Sequence, residues 1–131
     1  MQSPNTKNGS ETYVNIGAAI SLHRELGHSF IKAVYQSALQ KELKDQTTPF
    51  KRKKKAHDHY KDIVIANYHA DFICYDKVIV KLKALKKITR TEKSQVINYL
   101  KATSYSIALL INFGSSSPQY ERIVFNQRKS A

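Results

Sequence analysis

Residues 63–83 read IVIANYHADFICYDKVIVKLK, two segments rich in β-branched and aromatic residues on either side of a short turn. This composition, bounded by turn residues, is typical of strands. Because side chains alternate between the faces of a strand, Lys81 and Lys83 share one face of the second segment. If the segments pair as a hairpin, that face lies beside Asp71. The stretch therefore predicts two adjacent strands with charged side chains between them.

The remainder of the chain adds three helical patterns and three strand patterns around this pair. Gly27 is a natural C-cap for the first helix, and Thr89-Arg90-Thr91-Glu92 has the form of a capping box. The predicted helices cover 11–26, 30–43 and the segment opened by that box, and the predicted strands cover 51–60, 63–75, 78–82, 105–113 and 122–125. The order is α-α-β-β-β-α-β-β, an α/β domain over residues 11–131 behind a disordered tail at residues 1–10.

Charge is the main functional signal in the composition. The 131 residues include 22 Lys and Arg against 10 Asp and Glu, a formal net charge of +12. Such an excess attracts nucleic acid or another anionic surface. A contiguous basic run at residues 51–55 could contact phosphates, or it could be a solvated edge strand protected by lysine. The predicted nucleic-acid contacts are Lys51, Arg52, Lys53, Lys54, Lys55, Lys81, Lys83, Lys86, Lys87 and Arg90.

Other features bear on location. No apolar run is long enough to cross a bilayer, and the polar N-terminus lacks a secretory signal. The lone cysteine, Cys74, cannot form an internal disulfide and lies in an apolar stretch, as expected of a core residue. We therefore expect an intracellular protein, cytoplasmic or associated with nucleic acid.

Several longer runs carry a resemblance to a known family. They are Ile16-Gly17-Ala18-Ala19-Ile20, Ala70-Asp71-Phe72, Leu82-Lys83-Ala84, Gln95 with Asn98-Tyr99-Leu100-Lys101-Ala102-Thr103, and Leu109-Leu110-Ile111-Asn112-Phe113-Gly114. The chain resembles the PD-(D/E)XK nuclease-like superfamily, in particular the small proteins named for a G-x-x-E-x-x-Y motif. This resemblance implies a restriction-endonuclease-like core, a mixed β-sheet flanked by helices. It also implies Mg²⁺-dependent phosphodiester cleavage, in which an Asp and a second acid hold the metal and a Lys steadies water or phosphate.

The chain departs from the implied site at two acidic positions. The naming motif falls on residues 29–35, where Ser29 replaces the Gly and Lys32 replaces the Glu, and Lys81 stands at the second acid. The remaining site residues are Asp71, Lys83 and Gln95. One carboxylate among ammonium groups is a poor ligand set for Mg²⁺, which prefers oxygen ligands. We therefore predict no metal cofactor, and a catalytically inactive nuclease-like protein that binds DNA or RNA, alone or within a nucleoprotein assembly.

Two alternatives stay open. Glu92 lies on the same helical face as Gln95, and Asp76 lies in the turn between the two site strands, so relocated carboxylates could serve an active Mg²⁺-dependent nuclease. A helix cap and a turn explain these two acids equally well. The chain could also be a structural protein-interaction module whose charge serves solubility.

Overall fold

The structure is a computed structural model that describes residues 6–126, except for the side chains of residues 6–10, 53–54, 58, 60 and 63–67. The elements are α1 (Thr6–Leu26), α2 (Lys32–Asp45), β1 (Phe50–Tyr60), β2 (Ile63–Cys74), β3 (Val78–Lys83), α3 (Arg90–Ala102), β4 (Ile107–Asn112) and β5 (Gln119–Val124). This is the predicted order. None of the described helices has the length and apolar character needed to span a membrane.

The five strands form one mixed sheet in the order β1-β2-β3-β4-β5. β3 and β4 are parallel, and the other neighbouring strands are antiparallel. Parallel neighbours need a long crossover, and α3 supplies it. The helices α1 and α2 cover one face of the sheet and α3 covers the other. The mixed sheet flanked by helices, expected of a restriction-endonuclease-like core, is therefore confirmed.

β4 has a hydrophobic core on each side. Ile107, Leu109 and Ile111 pack into the core beneath α1 and α2, whereas Ala108 and Leu110 pack into the core beneath α3. Every residue of the strand is buried. This explains why β4 is an almost continuous apolar run without the alternation of a half-exposed strand, and it confirms the predicted double coverage.

The helix ends follow the local sequence signals. Gly27 has a φ of 77° and its N–H donates to the carbonyl of His23 over 2.8 Å, so α1 ends at a left-handed cap. At the start of α3, the Thr89 side chain accepts from the helix backbone, and the Glu92 carboxylate accepts the N–H of Thr89. The predicted C-cap and capping box are both confirmed.

The start of α1 differs from the prediction. The helix begins at Thr6, whereas the sequence predicted a disordered tail over residues 1–10. The prediction depended on apolar periodicity, which starts at Val14, and the polar residues before it carry no such signal. Residues 1–5 of the predicted tail lie outside the described residues.

Hydrogen bonds of Asn112 connect the end of β4 to the loop that follows β3. The fully buried Asn112 accepts from the N–H groups of Leu85 and Gly114 and donates to the Leu85 carbonyl. A Cβ at Gly114 would overlap the Leu85 carbonyl oxygen, so this approach requires glycine. The Asn112-Phe113-Gly114 run therefore has a structural explanation: it sets the path from β3 to α3.

Candidate functional site

The candidate site is built around Asp71, where β2 and β3 diverge. The pairing of these strands runs from Cys74 and Val78 to Phe72 and Val80. Two residues further along β3, the backbone N–H of Leu82 donates to Asp71 Oδ2 over 2.6 Å. The carboxylate thus satisfies a donor that strand pairing leaves free, and it is completely buried.

Asp71 has further partners on both sides. Gln36 Nε2 donates to Oδ1 over 2.7 Å, and the Lys32 ammonium is 3.1 Å from the same oxygen. Lys81 Nζ lies 3.8 Å from Oδ2. Burial raises the pKa of Asp71. The Leu82 N–H and the ammonium groups of Lys81 and Lys32 lower it by a larger amount, so the net shift of the pKa is downward. Asp71 is therefore a buried carboxylate at neutral pH.

Lys81 is the most unusual cation of the site. Only 7% of it is exposed, and burial, together with the charges of Lys32 and Lys83, lowers its pKa to about 8 despite the nearby Asp71. Burial and Lys81 also lower the pKa of His69. His69 is therefore neutral near pH 7, and the Lys81 ammonium donates to its Nε2 over 2.9 Å.

Lys83 completes the cluster from the same strand. Its Nζ donates to Gln95 Oε1 on α3 over 3.1 Å. Burial and the charge of Lys32 lower the Lys83 pKa, against the opposing fields of Glu92 and Asp71. We call Lys32, Lys81 and Lys83 the ammonium cluster. The structure brings its three members together with Asp71 and Gln95, the residues that the resemblance implied for the site.

Tyr35 positions the helix that carries Lys32. Its hydroxyl donates to the Gly27 carbonyl over 2.6 Å, and its ring stacks on Phe113 with centroids 4.5 Å apart. The ring is completely buried. Tyr35 lies one turn along α2 from Lys32, and these two contacts fix the start of the helix over the end of β4. Tyr35 thus has a structural role here.

A cleft of about 300 Å³ opens beside the ammonium cluster, between the sheet and α3. Lys81 and Lys83 occupy its floor and Gln95 its helix side. Other parts of the wall are apolar or aromatic. The cleft is lined by Tyr68, His69, Ile79, Lys81, Lys83, Gln95, Val96 and Tyr99.

Comparisons with known proteins identify the family of the chain. A sequence profile described as the PD-(D/E)XK nuclease superfamily matches residues 10–123. The chain belongs to the PD-(D/E)XK nuclease superfamily. The crystal structure of SSO0001 aligns with a TM-score of 0.60 at 14% sequence identity, over 92% of this chain and 60% of that chain. At that identity the likeness shows the fold alone. A search of curated proteins gave no match.

The superfamily implies Mg²⁺, but the residues of this site do not fit it. Both oxygens of Asp71 face N–H donors or ammonium groups, and Lys32 and Lys81 stand where the resemblance implies acids. Within the described part of the chain, no cluster of three or more His, Cys, Asp or Glu residues could hold a metal. A hard cation needs several oxygen ligands, so this cleft does not offer it a site.

The two acids considered as replacements have other partners. Glu92 Oε1 accepts the N–H and the hydroxyl of Thr89 in the capping box. Asp76 accepts from the Tyr105 hydroxyl over 3.2 Å and pairs with Lys51 at 3.6 Å. Among the side chains that the structure describes, neither carboxylate forms a metal-ligand cluster with Asp71.

The basic run of β1 is divided between the two faces of the strand. Lys51 is opposite Ile73 of one core, whereas Arg52 is opposite Phe72 of the other. Arg52 also donates to Gln40 over 2.7 Å and lies over the Phe72 ring, so its charge is partly used within the fold. The side chains of Lys53 and Lys54 lie outside the described residues. The exposed predicted contacts are Lys51, Lys55, Lys86, Lys87 and Arg90.

Sequence reasoning missed two partners at the centre of the site. Gln36 and His69 contact Asp71 and Lys81, respectively. Both had a usable signal: Gln36 lies four residues after Lys32 on the same helical face, and His69 lies two residues before Asp71 on the same strand. A neutral amide and a histidine carry no charge pattern, which is why they were overlooked.

Proposed function

We propose that this protein binds nucleic acid without a metal ion, with the ammonium cluster as its central phosphate site, and does not cleave what it binds. The observation that carries the proposal is that Lys32 and Lys81 pair with one buried carboxylate, Asp71, while Lys83 lies close enough for the charge of Lys32 to lower its pKa. The three ammonium groups outnumber Asp71 and Glu92, the carboxylates whose fields reach Lys83, so the site keeps a net positive charge. An anion is therefore the missing partner of this cleft.

The depressed pKa of Lys81 supports the same conclusion. Burial and its neighbours make the charged form of this side chain unfavourable. A phosphate oxygen near Nζ would return some of the stabilisation that burial removes, because charge-assisted hydrogen bonds are among the stronger ones in proteins. The site is thus arranged to hold phosphate directly, with ammonium groups where the superfamily places a metal and its ligands.

The surrounding surface extends this attraction beyond the cleft. Lys86 and Lys87 are exposed on the segment between β3 and α3, and Arg90 is exposed at the first position of α3. Together with the net charge of +12, they provide sequence-independent, salt-sensitive contacts to a phosphate backbone. Both DNA and RNA carry this backbone. The same surface would suit a basic subunit of a nucleoprotein assembly.

The direct test is binding of fluorescently labelled single strands and duplexes to the protein and to Lys83→Gln. Removal of one charge-assisted hydrogen bond to phosphate should weaken binding about tenfold. Lys101→Gln is the matched control, because it removes one charge from an exposed position in the last turn of α3. Equal effects of the two changes would show that the cleft has no special part in binding.

Cleavage is tested separately. Plasmid and RNA should remain intact in Mg²⁺ or Mn²⁺, and Asp71→Asn, which keeps the side-chain shape, should not change that result. Cutting that disappears in Asp71→Asn would establish the active nuclease and overturn the proposal.

Charge reversal at the two substituted acid positions tests the architecture. The double variant Lys32→Glu with Lys81→Glu places three carboxylates around the cleft, including Asp71. It should lose affinity for phosphate and gain Mg²⁺ binding in calorimetry, since oxygen ligands would then predominate. The double variant Lys32→Gln with Lys81→Gln should lose phosphate affinity without gaining Mg²⁺. Unchanged phosphate binding by both would show that the ammonium cluster is not the site.

A further inference from the structure

We infer that the cleft selects the phosphorylated end of a nucleic acid strand over an internal phosphodiester. The inference rests on the proposed function and deepens it by naming the substrate class. Two observations carry it: the charge within the cleft and the depth at which the ammonium groups lie.

The charge of the cleft favours a phosphomonoester. Lys81 and Lys83 line the cleft and Lys32 lies close to them, and these three ammonium groups outnumber Asp71 and Glu92, the two carboxylates whose fields reach Lys83. A terminal phosphate has a second pKa near 6 and a charge of about −1.5 to −2 at pH 7, whereas an internal phosphodiester carries one negative charge. The positive charge that remains attracts a doubly charged terminal phosphate more strongly than a singly charged internal one.

The position of Lys81 favours a ligand that enters end-first. Its side chain is 9% exposed, on a floor made by β3, with β2 on one side and α3 on the other. An internal phosphate is joined to chain on both sides, so it needs a groove open at two ends. A terminal phosphate has a single ester bond, so its free oxygens can reach a recessed ammonium group.

The rest of the cleft suits the nucleotide attached to that phosphate. Tyr68, Ile79 and Val96 form an apolar wall beside the polar floor of Lys81 and Lys83. An unpaired base or its sugar can pack on such a wall, because every base has an apolar face regardless of sequence. The volume of about 300 Å³ is at the lower end of small-molecule sites and accommodates a single nucleotide.

The experiment compares short single-stranded oligonucleotides of one sequence with a 5′-phosphate, a 3′-phosphate or hydroxyls at both ends, and a circular form. We expect one phosphorylated end to bind about tenfold tighter than the hydroxyl-ended and circular strands, because it adds charge-assisted hydrogen bonds. The preference should weaken below pH 6, where the phosphomonoester takes up its second proton. A nucleoside 5′-monophosphate in the same assay distinguishes a strand end from a free nucleotide as the source of the group.

The outcomes separate the inference from the proposed function. Equal, salt-sensitive binding of all strands would overturn the preference for ends and leave nucleic-acid binding intact. Absence of binding would overturn both. Tighter binding of the free nucleotide than of any strand would reassign the cleft to nucleotides and contradict the inference.

Variants locate the effect in the cleft. Lys81→Met should abolish the preference for phosphorylated ends, so that strands with phosphate and hydroxyl ends bind with equal affinity. Lys101→Gln should keep the preference, and circular dichroism should show that both variants are folded. A preference that survives in Lys81→Met would place end recognition elsewhere on the protein. The comparison among strands with the unmodified protein decides the question even if a variant does not fold.

Discussion

At the scale of single residues, Lys81 is a group whose charge opposes folding. A lysine moved from water into this site loses hydration, and the lowering of its pKa from the ordinary 10.5 to about 8 measures how far the charged form is disfavoured. Asp71 returns part of that loss, and Lys32 and Lys83 add to it. A neutral side chain of similar length would have none of this penalty.

We therefore predict that Lys81→Met raises the free energy of unfolding by about 1–3 kcal/mol at pH 7, because burial disfavours the Lys81 charge and Asp71 keeps other partners, including Lys32 and the Leu82 N–H. Urea denaturation provides the measurement, with Lys101→Met as the exposed control, expected within about 0.5 kcal/mol of the parent. A loss of stability in Lys81→Met would show that the Asp71 and His69 contacts outweigh burial.

The same group makes a prediction about pH. Between its folded pKa of about 8 and its ordinary 10.5, the unfolded chain holds a proton on Lys81 that the folded protein has lost. Stability from this group therefore rises with pH across that window, and phosphate affinity falls over the same range. His69, Asp71, Lys32 and Lys83 are the neighbours that face it, and Lys83 titrates in the same direction.

The measurement is a comparison of the protein with Lys81→Met from pH 7 to pH 10. The stability advantage of the variant should shrink above pH 8, and the parent should lose affinity for an oligonucleotide with a phosphorylated end more steeply than the variant does. A difference in stability that stays constant with pH would mean that Lys81 does not titrate in this window.

At the scale of elements, the contact between the end of β4 and the loop after β3 positions the residues of the site. Asn112 and Gly114 contact the backbone of Leu85, two residues beyond Lys83. Displacement of this loop would move Lys83 and the start of α3, which carries Gln95. The packing of one glycine therefore affects the geometry of the cleft.

Gly114→Ala should destabilise the protein by about 2–3 kcal/mol, because its methyl group would meet backbone atoms that cannot move aside. Gly17→Ala is the matched control. No atom lies within 4 Å of a Cβ there, and alanine in an exposed helix interior should add about 0.5–1 kcal/mol. Thermal denaturation compares the two, and equal effects would contradict the close approach at Gly114.

The elements were largely predictable from the sequence because their signals are local. Gly27 and the box at Thr89 set helix ends, and the apolar run of β4 indicated a strand covered on both faces. The start of α1 was not predictable, because its first turns are polar. The face occupied by Arg52 was also missed, since a contiguous basic run indicates a single surface until strand alternation divides it.

At the scale of the whole molecule, the net charge of +12 should appear as a salt dependence of binding. Lys51 and Lys55 are both exposed on β1, and changing both to glutamine should make the affinity for nucleic acid less dependent on salt. The slope of log affinity against log salt should fall by about 0.7 for each phosphate of a single strand that these lysines contact in the parent protein. Changing Lys41 and Lys44 on α2 to glutamine removes the same charge elsewhere. Equal slopes for the two variants would mean that the β1 lysines attract nucleic acid only through overall charge.

The parallel pairing of β3 with β4 also has a consequence for the order in which the chain assembles. Short turns join β1, β2 and β3, and the turn residues Lys61, Asp62, Tyr75 and Asp76 have positive φ values. β4 can pair with β3 only after α3 has connected the two parallel strands, which is a contact between residues far apart in the sequence. We expect the three-stranded meander to be formed in the folding transition state and β4 to dock afterwards. Ile73→Val should then mainly slow folding and Leu110→Ala should mainly speed unfolding, and stopped-flow kinetics with the reverse assignment would contradict this order.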